Sequence, residues 1–152
     1  MPPTRRNSLT RSAVGSKSSG APVAMQAKPI TVLLVDDEER IRRSARLILN
    51  GDEEVRVIGE ADNGQLAAEL ACRLCPDIIV MDISMPIMNG LEAARKILRE
   101  CPAVRIIMTT AMGGEPYRRV SMSIGVAGFL EKSSLDSDLL HTIHETAQHG
   151  LH

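Results

Sequence analysis

Asp82 closes an apolar run, Asp77-Ile-Ile-Val-Met-Asp82, and is followed by Ile-Ser-Met-Pro-Ile-Met-Asn-Gly. An apolar run of this length ending in a carboxylate reads as a buried strand that delivers one acid to a loop. A second run, residues 30–35, ends in Asp36-Asp37-Glu38-Glu39; a third ends in Thr109-Thr110; a fourth, Phe129-Leu130, leads to Lys132. In a parallel sheet the carboxyl ends of the strands open onto one crevice. Asp36, Asp37 and Asp82 would meet the Thr110 hydroxyl and the Lys132 amine there. Three carboxylates at one edge repel and raise one another's pKa unless a cation neutralises them. Mg2+, held by a few protein oxygens and waters, suits such a site. Phosphoryl transfer asks for positioning and charge neutralisation, and an Asp can serve as nucleophile and form an acyl phosphate. Thr110 could donate a hydrogen bond to a phosphoryl oxygen, and Lys132 adds a mobile point charge. Alone, Asp36 and Asp37 would be a plain acidic helix start, and a threonine at a strand end is usually structural. Their placement at successive strand ends is what points to chemistry.

The elements that must position them alternate. Residues 30–35, 55–60, 77–81, 104–109 and 127–130 read as strands. Helices are expected at 38–50, 64–75, 89–100, 115–124 and 135–148. Ile41, Ala45, Ile48 and Leu49 mark one face of the first helix, which Gly51 should stop. Leu66, Leu70 and Leu74 stripe the second, closed by Pro76. Asn89 with Glu92 three residues on reads as a capping box. Strict alternation with short loops means a parallel sheet with helices on both faces.

The 152 residues suffice for one domain with a core. Net charge is −1, so no global field favours nucleic acid. Residues 1–28 carry Arg5, Arg6, Arg11, Lys17 and Lys28 and no acid, while the remainder is mildly acidic. This segment is Ser-, Pro- and Gly-rich and reads as a disordered basic tail. It loosely fits a transit peptide; Met25 as the natural start is the plainer reading. Residues 29–149 form the expected domain and 150–152 its end. Three cysteines, Cys72, Cys75 and Cys101, argue against a disulfide framework. Cys72 and Cys75 have Cys-x-x-Cys spacing but no ligand partners for zinc, and are expected at a helix end, one buried and one not. No apolar stretch has membrane-span length, so the chain reads as cytoplasmic and membrane-free.

The stretches Val32-Leu-Leu-Val-Asp-Asp-Glu-Glu39, Ile78-Ile-Val-Met-Asp-Ile-Ser-Met-Pro-Ile-Met-Asn-Gly90, Ile106-Ile-Met-Thr-Thr-Ala111 and Gly125-Val-Ala-Gly-Phe-Leu-Glu-Lys132 resemble the receiver domain of bacterial two-component response regulators, most closely the NarL/FixJ type. The resemblance implies a flavodoxin-like (βα)5 three-layer sandwich whose parallel five-stranded sheet has the order 2-1-3-4-5. It implies that Asp82 is the phosphoacceptor, and that Asp37 binds Mg2+ directly while Asp36 acts on the ion through water. The backbone carbonyl of Ser84 would be a further metal ligand. Thr110 and Phe129 would be the switch residues and Lys132 the amine that contacts the phosphoryl group. It further implies a sensor histidine kinase or phosphotransfer protein as donor. A partner, or a second copy in a homodimer, would read the switched surface. Such a receiver catalyses only its own phosphorylation and dephosphorylation.

Two departures stand out. Ser133 follows Lys132 where many receivers have proline, so no cis bond is expected there, and Glu131 should face solvent. The NarL/FixJ type usually adds a helix-turn-helix after the receiver. Nothing after the last helix here could enter a major groove, so direct DNA binding is not expected. The alternative is a transcription regulator of that type acting through dimerisation or a partner. A flavin or nucleotide binder would want a glycine-rich loop where Asp36-Asp37-Glu38-Glu39 stands. A phosphatase with an aspartyl nucleophile would commonly have Asp where Ser84 stands. Arg40, Arg42, Arg43 and Arg46 read as a solvated face, with docking to an acidic kinase surface as the functional alternative. His141 and His144, three apart, could share a metal but read as solvated. Met112 is placed to shield an acyl phosphate from water.

Overall fold

The structure is a computed structural model that describes residues 28–111 and 115–150. Among these residues five strands alternate with five helices: β1 Ile30–Val35, α1 Glu39–Asn50, β2 Val55–Ala61, α2 Gly64–Leu74, β3 Ile78–Asp82, α3 Gly90–Glu100, β4 Arg105–Thr110, α4 Glu115–Ile124, β5 Gly128–Glu131 and α5 Leu135–Gly150. A single 3-10 turn, Lys132–Ser134, joins β5 to α5. All strand pairs are parallel and the sheet order is β2-β1-β3-β4-β5. This is the expected flavodoxin-like three-layer sandwich.

Both sheet faces are covered, which is why the strands read as continuous apolar runs rather than alternating ones. The two-residue period of a strand sends successive side chains to opposite faces. Leu33, Val35, Ile79, Met81, Ile106 and Met108 join the core under α2 and α3. Val32, Leu34, Ile78, Val80 and Ile107 join the core under α1 and α5, with Leu139 and Ile143. Ala45 and Leu49 are the buried positions of α1, with Ile41 and Ile48 packed beside them.

Several local expectations shift. In α2 the fully buried face is Ala67, Ala68 and Ala71; Leu66, Leu70 and Leu74 flank it half-buried. Small side chains let α2 and α3 approach closely, and Ala93 and Ala94 of α3 are likewise buried. Gly51 caps α1 at φ −78, so no left-handed glycine cap is used there. The left-handed cap belongs to Cys75 (φ 50), ahead of Pro76, where the α conformation is disfavoured. Cys72 and Cys75 are both exposed, not one buried and one not. The Asn89–Glu92 capping box is present in full. The tail at 1–27, the Met25 start, Met112 and the end residues 151–152 lie outside the described residues.

Arg42 and Arg46 turn inward to Glu60 on β2 instead of into solvent. Burial pushes the Glu60 carboxyl up, but Arg46 and Arg42 outweigh it and hold it below its ordinary value. Arg40 and Arg43 keep the expected exposure. His144 does not pair with His141; its Nε2 lies 2.7 Å from Asp52 Oδ2, which ties α5 to the α1–β2 loop. That contact holds the Asp52 carboxyl below its ordinary value.

Two glycines mark close backbone approach. A Cβ on Gly90 would sit 2.1 Å from the Asp82 carbonyl oxygen, and one on Gly64 would sit 2.2 Å from the Met88 carbonyl oxygen. At Gly90 the Met108 methyl could move aside, but the nearest obstacles are backbone atoms of Asp82 and Ile83, which cannot. Gly90→Ala is expected to lower stability by about 1–3 kcal/mol, read as a fall in the thermal midpoint. Gly51→Ala is the contrasting control: its nearest neighbour, Ile48 O, would be an ordinary 3.5 Å away. It should fall within about 0.5 kcal/mol of wild type.

Candidate phosphoryl-acceptor site

The carboxyl ends of β1, β3, β4 and β5 share one edge of the sheet. Register places Val35 opposite Met81, Asp82 opposite Thr109 and Thr110 opposite Glu131. Asp36 is therefore carried one residue beyond β1, Asp82 ends β3, Thr110 ends β4, and Lys132 opens the turn after β5. Asp36, Asp82 and Thr110 are buried, whereas Asp37 is exposed. Asp36, Asp37 and Asp82 each offer a carboxylate oxygen within 4.8 Å of the others.

Lys132 is the internal cation of the cluster. Its Nζ lies 2.8 Å from Asp36 Oδ2, 3.2 Å from Asp82 Oδ2 and 3.4 Å from Glu38 Oε1. Asp36 Oδ1 accepts from the Glu38 N–H at 2.8 Å. Asp82 Oδ1 accepts from the Ser84 N–H at 3.3 Å. Arg42 donates from Nη1 to the Asp36 carbonyl at 2.6 Å and from Nε to Glu60, which braces the chain where it leaves β1. Glu131 is exposed, as expected. No described peptide bond is cis.

Charge is held at some cost here. Asp82 is pushed up to about 6, first by burial and then by the neighbouring Asp36, against the pull of Lys132 and the Ser84 N–H. Asp36 is also raised, burial outweighing Lys132 and the Glu38 N–H. Burial pulls Lys132 down, but Asp36 and Asp82 outweigh it and keep its ammonium above the ordinary value. One lysine cannot neutralise three carboxylates. The donor set is all oxygen and two of its members are buried, which fits a hard divalent cation such as Mg2+.

Burial of Asp82 fixes the sign of the pH dependence. A raised carboxyl pKa gives stability that is full below the ordinary value of 3.8 and is lost as pH rises through about 6. A divalent cation needs the ionised form. The rise in thermal midpoint caused by Mg2+ should therefore be small at pH 4 and grow through pH 6, with proton release on binding in that window. Calorimetry in two buffers of different ionisation enthalpy reads that proton directly.

The loop after Asp82 is strained. Ile87 stands at φ +69 with 76% of its surface exposed. Left-handed backbone costs a β-branched residue about 1–2 kcal/mol. Hydrogen bonds from Gly90 N to Ile83 O and Met88 N to Pro86 O, both 2.7 Å, hold the loop in that shape. Ile87→Gly should raise stability by about 1 kcal/mol in urea unfolding.

The structure thus brings together Asp36, Asp37, Asp82 and Lys132, and places Thr110 and Ser84 at the same edge. Phe129 does not join the acids. It sits half-buried on β5 opposite Met108, with the Arg118 guanidinium 6.0 Å over its ring. Sequence reasoning missed Glu38 as a Lys132 partner and Arg42 as the brace. Glu38 lies one residue past the acid pair, a spacing that could have drawn attention to it. Arg42 gives no such signal without knowledge of the β1–β2 pairing.

Similarity to known proteins bears on this site directly. The family model described as response regulator receiver domain matches residues 32–144. Response regulator GacA of Pseudomonas aeruginosa is 34% identical over 116 residues, covering 76% of this chain and 54% of the relative. Response regulator UvrY of Escherichia coli K12 is 40% identical over 114 residues, covering 75% and 52%. The chain spans about half the length of these curated relatives. Among solved structures, the CheX–CheY–BeF3–Mg2+ complex of Borrelia burgdorferi matches with a TM-score of 0.73 at 26% identity, covering 78% of this chain and 89% of that one. The span matched by the family model contains the acid pair after β1, Asp82, Thr110 and Lys132 in the strand-end positions described above. The chain belongs to the response regulator receiver domain family.

Proposed function

We propose that this chain accepts a phosphoryl group on Asp82 and passes the change in charge to a partner-binding surface. The observation that carries the reading is the Asp82 carboxylate, buried at a strand end, 3.2 Å from an ammonium and within 4.8 Å of two further acids. Asp82 attacks the phosphorus of a phosphohistidine or of acetyl phosphate. The bond from phosphorus to the imidazole nitrogen or the acetate oxygen breaks, and that group leaves with the electron pair. Asp36, Asp37, Asp82 and the Ser84 backbone carbonyl would hold Mg2+, which when bound neutralises phosphoryl charge. The presence of Mg2+ and BeF3 in the related CheY complex supports this assignment.

Lys132 exchanges its contact with the Asp82 carboxylate for one with the phosphoryl oxygens. Thr110 donates its hydroxyl to the same group. Phe129, held beside Arg118 on β5, shifts with it, so the face of α4, β5 and α5 changes population between two states. A sensor histidine kinase or phosphotransfer protein supplies the group, and an output partner or a second copy reads the face. Residues 29–149 make up this receiver unit, with 1–28 as a basic tail, acting in the cytoplasm. No helix among the described residues is long and apolar enough to cross a membrane. Control of transcription through such a partner belongs to the same reading, by analogy with the NarL/FixJ type.

Incubation with acetyl phosphate and Mg2+ tests the proposal. Intact mass should rise by one phosphoryl group, and a chelator should prevent it. A chain that stays unmodified with Mg2+ present, or is modified equally well under chelation, contradicts it.

A further inference from the structure

The Cys-x-x-Cys spacing pairs Cys72 with Cys75, but the fold pairs Cys72 with another residue. Cys72 Sγ on α2 lies 3.5 Å from Cys101 Sγ at the end of α3. Cys75 Sγ instead contacts the Cys72 carbonyl at 3.6 Å, because its left-handed cap conformation takes it off the helix. The two helices are locked together beneath the thiols by buried Ala67, Ala68, Ala71, Ala93, Ala94 and Ile97. Cys72 is exposed and Cys101 is half-buried, so an oxidant can reach the pair from solvent.

We propose that Cys72 and Cys101 form an oxidative modification site, closed by hydrogen peroxide to an intramolecular disulfide that leaves Cys75 free. One thiolate attacks a peroxide oxygen. The O–O bond breaks, hydroxide leaves, and that sulfur becomes a sulfenic acid. The second thiol attacks this sulfur, the S–O bond breaks, and water leaves. Two thiols are oxidised by two electrons and one peroxide is reduced to two waters. The sulfurs need to close only from 3.5 Å to about 2.0 Å. Cys72 is pushed up to about 11, first by the hydrogen bond it shares with Cys101, then by desolvation and by Cys101 and Glu100 charge. Reaction should be slow at neutral pH and quicken as pH rises. A bond to such a sulfur also resists reduction by attack at its partner, since Cys72 is a poor leaving group. It would join residues 29 apart, enclosing β3 and α3, and by constraining the unfolded chain should raise the thermal midpoint.

Trypsin separates the three cysteines. Arg73 lies between Cys72 and Cys75, and Arg99 precedes the segment holding Cys101. The full chain is treated with hydrogen peroxide, quenched, alkylated in denaturant and mapped without reductant. The expected product links the Cys72 and Cys101 peptides, carries alkylated Cys75, and separates on reduction. Cys75→Ser should retain the link and Cys101→Ser should lose it. Wild type oxidised in guanidinium serves as the control and should give mixed pairings. A link to Cys75, links chiefly between molecules, or sulfinic acids without any link in the folded chain would overturn the inference.

Discussion

Asp82→Asn is expected to abolish phosphoryl uptake from acetyl phosphate while making the metal-free protein more stable. The two effects have one cause. In the proposed reaction Asp82 is the nucleophile, and an amide cannot replace a carboxylate in forming an acyl phosphate. The same carboxylate is buried beside Asp36, and its pKa is pushed up to about 6. Raising a carboxyl pKa by one destabilises the ionised form by about 1.4 kcal/mol. At pH 7 without metal, the amide should therefore add on the order of 1–3 kcal/mol of stability. At pH 4, where Asp82 is largely protonated, variant and wild type should nearly coincide. The variant should also lose most of the stabilisation by Mg2+, since one of the three carboxylates is gone. Mass spectrometry reads the first effect, and denaturant unfolding at the two pH values reads the second. A variant that is inactive and also less stable at pH 7 would mean that Asp82 supports the fold by some route other than the one described.

Lys132→Met should act in the opposite sense on stability. The ammonium touches Asp36, Asp82 and Glu38, and its side chain is 11% exposed. Removing one partner of a fully buried ion pair costs about 3–5 kcal/mol. This cluster opens to solvent at the sheet edge, so a loss of about 2–3 kcal/mol at pH 7 is expected. Most of it should return at pH 4, where Asp82 no longer needs a counter-charge. Added Mg2+ should also restore it, because the cation replaces the missing ammonium. Restored stability should not restore function. Phosphoryl uptake with saturating Mg2+ should remain lower by on the order of 10²-fold, the usual cost of removing one group that stabilises developing charge. Equal stability of variant and wild type at pH 7 without metal would show that Lys132 is not the cation holding these acids together.

The order of strands and helices was legible because each strand is a short apolar run and each helix has an amphipathic period or a cap. The boundaries of β3, β4 and β5 each fall one residue later than the apolar run alone indicates, since pairing continues through Asp82, Thr110 and Glu131. The acid cluster was legible for a topological reason: parallel strands put all their carboxyl ends at one edge. What stayed hidden depends on pairing across the sheet. Arg42 and Arg46 belong to Glu60 only because β2 lies beside β1 under α1. Cys101 meets Cys72 only because α2 and α3 share an alanine-lined seam. The leucine stripe of α2 pointed to the right side of the helix, but the tightest contact falls on its alanines, where backbones come closest. Lys132 was expected at the edge. Its role as the resting counter-ion for Asp36, Asp82 and Glu38 is a matter of distances.

Borohydride reduction of the phosphorylated chain offers the most direct view of the esterified side chain. An aspartyl phosphate is reduced to homoserine, which tandem mass spectrometry assigns to a single position. Homoserine at position 82, absent when a chelator is present during phosphorylation, is the outcome expected here. Homoserine at position 36 or 37, or a phosphorylated chain yielding none, would contradict the assignment of Asp82 as the acceptor.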